Sequence, residues 1–167
     1  MKAVFLKSLP LQGWALAALV FAADQLSKFW LRQYVVPQSW DLIVVTPFFN
    51  INHAWNYGVS FSLFSGEGDW QRAKLILMAT ALTALVGWWL HKAATRLQAM
   101  SYGLIIGGAL GNIIDRLNHG AVFDFLQFHL AEYYWPSFNL ADSAIVVGVG
   151  LLLWDSWKGH KPRHADS

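Results

Sequence analysis

Four long apolar runs, separated by more polar stretches, dominate the pattern of this sequence. They occupy residues 11–34, 73–91, 98–117 and 139–157. Each run has about 20 residues, the length that an α-helix needs to cross the hydrocarbon core of a membrane. The pattern therefore predicts an all-α membrane bundle of four transmembrane helices, in which residues 1–167 form a single integral membrane domain.

The first apolar run has a competing interpretation as a cleavable secretory signal. Lys2 and Lys7 precede an apolar segment at 14–23, which is the order of such a signal. However, the apolar pattern resumes after this segment, and Asp24 and Lys28 are four residues apart on one helical face. Such a pair can turn inward and neutralise itself, which a removable signal does not require. We therefore favour a retained spanning helix.

The two long connections, predicted at 35–72 and 118–138, differ from the helices in composition. β-Branched and aromatic residues are concentrated at 42–45 and 48–52, which indicates short strands. Residues 56–58 read Asn-Tyr-Gly, which is a turn signal. We therefore expect a small β-rich cradle outside the bilayer, next to the helix bundle.

The composition supports a membrane protein and excludes several other classes. Hydrophobic residues make up 56% of the chain and charged residues 13%, against roughly 45–50% and 25% in soluble domains. The net charge of +2, with no basic cluster among aromatic residues, gives no reason to expect nucleic-acid binding. Because the chain has no Cys, disulfides, thiolate catalysis and thiolate metal sites are excluded.

The distribution of Lys and Arg predicts the orientation of the bundle. The side of the two termini carries Lys2, Lys7, Lys92, Arg96, Lys158, Lys161 and Arg163, and the other side carries Lys28, Arg32, Arg72, Lys74 and Arg116. Since cytoplasmic loops carry the excess of basic residues, both termini are expected in the cytoplasm and the cradle at the extracytoplasmic face. The following polar residues then converge at that face: Asp24, Asn56, Asn112, Asp115, Asp124, Asn139 and Asp142.

Asp142 is an unusual residue because it lies at the start of the last apolar run. The stretch 143–154 that follows it carries no charge. A carboxylate in such a position needs a partner or a function. Asn139 is a good N-cap and would place Asp142 at the N3 position, so the two residues also fit a capping box. From these residues alone, the structural and the functional interpretation are equally supported.

Asp124 is embedded among apolar and aromatic neighbours. It lies between Phe123 and Phe125, and in a strand its side chain would share a face with Val122 and Leu126. Removal from water in such surroundings is expected to raise its pKa. The alternative, a solvated surface acid, is the less favoured interpretation because such acids seldom have these neighbours.

The third apolar run combines a packing motif with a polar end. Three glycines follow one another at four-residue spacing: Gly103, Gly107 and Gly111. A face with almost no side chains permits close approach of another helix, so we interpret these glycines as a packing motif. At the end of the run, Asn112 and Asp115 share a face and Arg116 adds a charge.

Five short motifs, taken in order, resemble lipoprotein signal peptidase (signal peptidase II), the aspartyl protease that removes signal peptides from bacterial prolipoproteins. They are Asp-Gln-Leu-Ser-Lys at 24–28, Asn-Tyr-Gly at 56–58 followed by Phe61, Gly-Asn-Ile-Ile-Asp-Arg at 111–116, Val-Phe-Asp-Phe at 122–125 and Phe-Asn-Leu-Ala-Asp at 138–142. Each motif alone is weak, whereas all five in this order are highly specific. The resemblance covers nearly the whole chain.

This resemblance implies a catalytic dyad formed by Asp124 and Asp142 in an enzyme of the bacterial inner membrane. It also implies a set of substrate-binding and supporting residues: Asp24, Lys28, Asn56, Gly58, Asn112, Asp115, Arg116, Asn139 and Ala141. The implied substrates are diacylglyceryl-modified prolipoproteins, cut just before the lipidated Cys. Membrane lipid and globomycin-type cyclic peptide inhibitors are further implied partners, and no metal or cofactor is implied.

The residue types support hydrolysis by carboxylates without reference to the resemblance. The chain has no Cys nucleophile, no His-Glu-x-x-His zinc helix and no Gly-x-Ser-x-Gly elbow. Two close carboxylates share a proton, so one can activate water while the other donates to a carbonyl. We interpret His53, His119 and His129 as interfacial side chains, since no two of them have helical ligand spacing.

Two other classes of function compete with a protease. In a proton-coupled transporter or channel, Asp24, Lys28, Asp115 and Asp142 would form a relay, but a relay requires acids spread through the membrane depth. The predicted cluster lies at one face. A noncatalytic membrane scaffold is the third possibility, and it leaves the apolar surroundings of Asp124 unexplained.

Overall fold

The computed structural model describes residues 2–35, 42–58 and 69–159. Its helices are α1 (Lys2–Trp30), α2 (Asp69–Leu90), α3 (Arg96–His119) and α4 (Leu140–Gly159), and a π-helical segment, Leu31–Val35, continues α1. Its strands are β1 (Leu42–Thr46), β2 (Phe49–Asn56), β3 (Val122–Leu130) and β4 (Tyr133–Tyr134).

Within this described part, four helices are long and apolar enough to cross a membrane, as the pattern of apolar runs predicts. Their spanning segments are Ser8–Tyr34, Trp70–Leu90, Arg96–His119 and Leu140–Lys158. The ends of the helices differ from the predicted spans by a few residues. α2 begins at Asp69 and not at 73, and α3 extends beyond 98–117 at both ends, so both predicted connections are shorter. Most of these extra residues are polar or charged, with Trp70 and Leu97 as exceptions, so hydropathy alone does not assign them to a helix.

Helix α3 is the centre of the bundle and contacts each of the other three helices. The glycine motif explains the contact with α1. A Cβ on Gly107 would lie 2.5 Å from the carbonyl oxygen of Ala17, and one on Gly103 would clash with the Gly13 backbone. The packing interpretation of these glycines is therefore confirmed, and the two helices run parallel with their backbones in close contact.

The contact between α3 and α4 uses the same principle on another face of α3. Gly108 lies against the backbone of Ala141, and a Cβ on Gly148 would lie 2.8 Å from the Ser101 carbonyl oxygen. Because α4 approaches so closely at Ala141, the first turn of α4 is fixed against the last turns of α3.

The strands form one four-stranded antiparallel sheet with the order β1-β2-β3-β4. The predicted strands at 42–45 and 48–52 are confirmed, although β2 continues to Asn56. In the pairing of β2 with β3, Ala54 lies opposite Asp124. The sheet is thereby aligned so that the end of β2 lies next to the start of β3.

Two groups of contacts attach the sheet to the helices. Leu31 at the end of α1 packs with Phe123 and Phe125 of β3 in a buried apolar cluster. A β-bridge joins Leu126 to Phe138, where the Phe138 N–H donates to the Leu126 carbonyl at 3.0 Å and the Leu126 N–H returns a bond of 2.8 Å. This bridge holds residue 138 beside β3, so α4 begins close to Asp124.

Candidate active site

Asp124 is placed by β3 in a buried position at the edge of the helix bundle. Its side chain is only 2% exposed. Asn139 Nδ2 donates to Asp124 Oδ1 at 2.7 Å, and Asn56 Nδ2 donates to Asp124 Oδ2 at 3.1 Å. The surface-acid interpretation of Asp124 is therefore wrong, because the side chain is buried and both of its carboxyl oxygens accept hydrogen bonds from amides.

Asp142 lies in the first turn of α4 and forms a reciprocal capping box with Asn139. The Asp142 N–H donates to Asn139 Oδ1 at 2.9 Å, and the Asn139 N–H donates to Asp142 Oδ2 at 3.2 Å. The capping interpretation is thus confirmed. It does not exclude a second role, because Asp142 Oδ1 also accepts a bond of 2.7 Å from Asn112 Nδ2.

Asn139 and Asn112 connect the two carboxylates through one hydrogen-bonded chain. The Asn139 amide that binds Asp124 also donates to Asn112 Oδ1 at 3.2 Å, and Asn112 in turn binds Asp142. The two aspartates therefore belong to one site, although they lie on different elements and are separated in the sequence. Asn139 both caps α4 and donates a hydrogen bond to Asp124.

The electrostatic surroundings of Asp124 favour its protonated form. Burial is the main cause, and the negative charge of Asp142 adds to it, so that the pKa of Asp124 is raised to about 6. The hydrogen bonds from Asn56 and Asn139 act in the opposite direction, since they stabilise the anion. The expected rise in the pKa of Asp124 is confirmed, with Phe123 and Phe125 both buried next to it.

A buried ion-pair network beneath the two aspartates joins α1 to α3. Lys28 Nζ lies 2.9 Å from Asp24 Oδ2 and 2.8 Å from Asp115 Oδ2, and all three side chains are fully buried. The predicted pairing of Asp24 with Lys28 is thus confirmed. Lys28 also donates to Asn112 Oδ1 at 3.5 Å, which links the network to the two catalytic candidates.

The same network holds the elements that carry the aspartates. Asp24 Oδ1 accepts a bond of 3.0 Å from the Ala141 N–H in α4, and Asp115 Oδ2 accepts one of 3.2 Å from the Phe123 N–H in β3. Ala141 therefore contributes its backbone amide to the site, next to Asp142. Phe123 does the same next to Asp124.

Gln25 belongs to this network, although the sequence analysis did not single it out. Its Nε2 donates to Asp24 Oδ2 at 3.1 Å, to Asp115 Oδ1 at 3.2 Å and to the Gly111 carbonyl at 3.3 Å. Gly111 itself leaves room for this arrangement, since a Cβ there would lie 2.5 Å from Asp24 Oδ2. In the sequence, Gln25 is part of the motif at 24–28 and a polar residue inside an apolar run, but neither feature specifies its partners.

Asn56 and Gly58 form the turn at the end of β2. Asn56 Oδ1 accepts a bond of 2.9 Å from the Gly58 N–H, while its Nδ2 binds Asp124. Gly58 has φ +80°, which is the left-handed conformation that Gly adopts without strain. The predicted turn is confirmed, and it sets the direction of the Asn56 amide.

Arg116 brings a positive charge to the cluster of acids. Its Nη1 donates to the Asn112 carbonyl at 3.4 Å, and the charges of Asp142, Asp124 and Asp115 act on its guanidinium. Within the described residues, the buried Nε of Arg116 has no hydrogen-bond partner. This donor is therefore available to a further acceptor.

An open groove of about 390 Å³ leads to Asp124 from the side of the sheet. It is lined by Ala54, Trp55, Asn56, Tyr57, Asp124, Pro136 and Ser137. Ser137, which the sequence analysis did not identify, accepts a bond of 2.8 Å from Asn52 Nδ2. Because Asp124 is one of the lining residues, the groove opens onto its carboxyl.

The three histidines discussed above, His53, His119 and His129, make ring contacts outside the cluster of acids. His53 lies 5.2 Å from Phe123 and His129 5.1 Å from Tyr134, both measured between ring centroids. His119 accepts from Arg32 Nη1, with a separation of 3.0 Å at Nε2. Among the described residues there is no group of three His, Cys, Asp or Glu side chains that could hold a metal ion.

Comparison with known proteins gives consistent matches along the chain. The family model described as signal peptidase (SPase) II matches residues 16–158. The lipoprotein signal peptidase of Pseudoalteromonas atlantica is 48% identical over 146 residues, which is 86% of this chain and 87% of that protein. The lipoprotein signal peptidase of Shewanella baltica (strain OS195) is 44% identical over 154 residues, which is 90% and 88% of the two chains.

The fold also matches a solved structure. A bacterial membrane enzyme determined by the in meso method superimposes with a TM-score of 0.77 and 26% identity over 93% of each chain. Almost the entire chain is therefore similar to these proteins in sequence and in fold. The aspartate cluster, the helix bundle and these matches lead to one conclusion: the chain belongs to the signal peptidase II family.

Proposed function

We propose that Asp124 and Asp142 are the catalytic dyad with which this chain acts as a signal peptidase II. Membership of the family makes it a membrane peptidase of the aspartic type that cleaves the signal peptides of prolipoproteins. The observation that carries the assignment of the dyad is the Asn139 side chain, which caps the helix of Asp142 and binds Asp124 at 2.7 Å.

In the proposed mechanism, Asp142 is the base and Asp124 the acid. Asp142 takes a proton from water, the oxygen of that water forms a bond to the scissile carbonyl carbon, and Asp124 donates its proton to the carbonyl oxygen. Asp142 then gives its proton to the leaving nitrogen as the C–N bond breaks. Asp124 recovers a proton from the tetrahedral intermediate, so one water is consumed and both aspartates return to their initial states.

The different surroundings of the two carboxyl groups support these roles. Asp142 Oδ1 and Oδ2 accept bonds from Asn112 and from the Asn139 N–H, so donors surround its oxygens. The raised pKa of Asp124, about 6, favours the protonated acid. Because two close carboxylates titrate together, the pair as a whole holds the shared proton.

We assign supporting roles to the remaining predicted residues. Asn56, Asn112 and Asn139 orient the dyad. Asp24, Lys28 and Asp115 hold together the helices and the strand that carry it. The unpartnered Nε of Arg116 is a donor that can bind a carbonyl of the substrate.

The pH profile of the Asn56→Ala variant tests the roles of the two aspartates. Loss of the Asn56 hydrogen bond removes an interaction that lowers the pKa of Asp124, so this pKa should rise further. An acid must be protonated to act, and activity is therefore lost as the pH rises through its pKa. We expect the basic limb of kcat/KM to move to higher pH.

The matched control for this experiment is Asn52→Ala. Asn52 lies on the same strand but donates to Ser137 and not to Asp124, so its profile should keep the wild-type limbs. A shift of the acidic limb in Asn56→Ala would instead identify Asp124 as the base.

We propose that the substrate carries a diacylglyceryl group on Cys and is cut just before that residue. The acyl chains would remain in the bilayer and align the scissile bond with the dyad, so binding away from the reacting atoms supplies orientation. Purified enzyme should cleave the diacylglyceryl prolipoprotein much faster than the same polypeptide without lipid. Equal turnover of both forms would contradict this substrate while leaving the dyad intact.

We also propose that the protein lies in the bacterial inner membrane with both termini in the cytoplasm and the site at the outer face. The support is the excess of Lys and Arg on the side of the termini. A periplasmic reporter fused after Trp157 should then be inactive.

Globomycin-type cyclic peptides would bind the groove that leads to Asp124 and compete with the substrate.

A further inference from the structure

A second groove, of about 360 Å³, lies between α1 and α3 at the opposite end of the bundle from the dyad. It is lined by Gln12, Ala15, Leu16, Leu19, Arg96 and Met100. Arg96 begins α3 and Asp115 lies near its end, about 28 Å away at 1.5 Å per residue. We call it the Arg96 groove, and it shares no residue with the site described above.

Within the described residues, Arg96 has no side-chain partner, whereas Lys92 and Lys158 at the same end of the bundle each have one. Lys92 Nζ lies 3.5 Å from the centre of a Trp88 ring and Lys158 Nζ lies 4.7 Å from a Trp154 ring. For Arg96, no hydrogen bond, ion pair or ring contact is formed with any part of the chain that the structure describes. Its planar guanidinium is therefore free to bind an anion.

Gln12 supplies an unpaired acceptor in the same groove. Its Nε2 donates to Ser8 Oγ at 3.2 Å, but its Oε1 is buried without a donor from the described residues. A buried acceptor without a partner costs free energy, so this oxygen calls for a donor that the described part of the chain does not supply. The groove thus offers one anion-binding group and one acceptor.

The rest of the groove is apolar and extends into the membrane. From Gln12 to Leu19 the wall of α1 rises by about 10 Å. Ala15, Leu16 and Met100 complete a surface suited to the upper part of an acyl chain. A ligand that matches the whole groove has an anion and a hydroxyl at the membrane surface and a hydrocarbon chain below them.

We infer that the Arg96 groove binds an anionic phospholipid with a hydroxyl-bearing headgroup, of the phosphatidylglycerol class. Arg96 donates to the phosphate, Gln12 Oε1 accepts from a headgroup hydroxyl, and one acyl chain lies along Leu16 and Leu19. Basic pockets between spanning helices commonly bind anionic headgroups.

The acid that contacts the first turn of α3 does not oppose this binding. Asp155 of α4 accepts a bond of 2.8 Å from Gln98 Nε2. Gln98 follows Arg96 by two residues, which is about 200° around the helix axis. Asp155 therefore lies on the other side of α3 from the groove.

Native mass spectrometry of the full-length protein in detergent tests the inference with three dioleoyl lipids. Phosphatidylglycerol has both the charge and the hydroxyl, phosphatidylethanol has the charge alone, and phosphatidylcholine has no net charge. The wild type should retain phosphatidylglycerol about tenfold better than phosphatidylcholine, with phosphatidylethanol in between. Equal retention of phosphatidylglycerol and phosphatidylcholine would overturn the site.

Four variants separate the contributions of the groove. Arg96→Gln should reduce retention of phosphatidylglycerol to the level of phosphatidylcholine, and Gln12→Leu should abolish its advantage over phosphatidylethanol. Ala15→Trp, which fills the groove, should weaken binding of phosphatidylglycerol and phosphatidylethanol alike. Lys92→Gln loses the same charge at the same end and should behave as wild type.

Two outcomes would contradict the inference even if the wild type prefers phosphatidylglycerol. One is an equal loss in Lys92→Gln and Arg96→Gln, since that result indicates diffuse surface charge. The other is unchanged retention in Ala15→Trp. Cleavage of substrate in detergent by Arg96→Gln should equal that of wild type, which keeps this test independent of the dyad.

Discussion

Replacement of Asp124 or Asp142 by Asn is expected to reduce cleavage of a lipidated prolipoprotein by about 10³-fold or more, with the protein still folded. An amide can neither take a proton from water nor donate a carboxylic proton to the carbonyl. Asn at 124 can still accept the Asn139 bond through Oδ1, and Asn at 142 can still accept through one oxygen. The loss therefore falls on the chemical step and appears in kcat.

The control for the dyad variants is Asp155→Asn, which changes an aspartate at the far end of α4. The one hydrogen bond described for the Asp155 side chain comes from Gln98, and the amide oxygen of Asn at 155 can still accept it. Turnover should therefore stay near the wild-type value. Substrate binding and thermal unfolding in detergent should be measured for all three variants. A dyad variant with near-wild-type kcat would disprove the proposed mechanism.

Lys28→Met is expected to destabilise the folded protein by about 3–5 kcal/mol, the usual cost of breaking a buried ion pair from one side. The fully buried Asp24 and Asp115 would each lose a bond of less than 3 Å to the ammonium group. Because these acids also hold the amides of Ala141 and Phe123, activity should fall together with stability. Thermal unfolding of the purified protein measures the first effect.

A second substitution distinguishes charge burial from simple loss of packing. In Lys28→Met combined with Asp115→Asn, one uncompensated charge is removed, so the double variant should be more stable than Lys28→Met alone. Lys92→Met, which affects an exposed ammonium over Trp88, should cost far less. If Lys28→Met unfolds at the wild-type temperature, the network does not hold the site together.

The Asp115→Asn single variant should retain measurable activity, because Asp115 touches neither the scissile bond nor the attacking water.

The helices and most strands of this fold could be predicted from the sequence because each depends on a local pattern. A run of about 20 apolar residues indicates a spanning helix wherever it occurs. The π-helical segment Leu31–Val35 and the short strand Tyr133–Tyr134 could not be predicted in this way. Both depend on tertiary contacts, such as the packing of Leu31 on β3 and the ladder between His129 and Tyr134.

The residues of the site could be predicted more readily than their partners. A charged or amide side chain at the edge of an apolar run is conspicuous, but the bond from Ala141 to Asp24 joins residues 117 positions apart. No local pattern specifies such a pair, and Gln25 was missed for this reason. At Asp142 the capping and the functional interpretation do not exclude each other, because one carboxyl accepts from the Asn139 N–H and from Asn112 Nδ2.

The position of Asp142 on the last helix has a consequence for the biosynthesis of the enzyme. Helices α1 to α3 and the sheet, with Asp124, leave the ribosome before α4 does. Until α4 has entered the membrane and its Ala141 has docked against Gly108, only Asp124 of the proposed pair is in place. Asn139, which precedes α4, does not yet bind Asp124. On the proposed mechanism, a nascent or stalled chain is thus proteolytically silent, and peptide cleavage begins only when insertion of the bundle is finished.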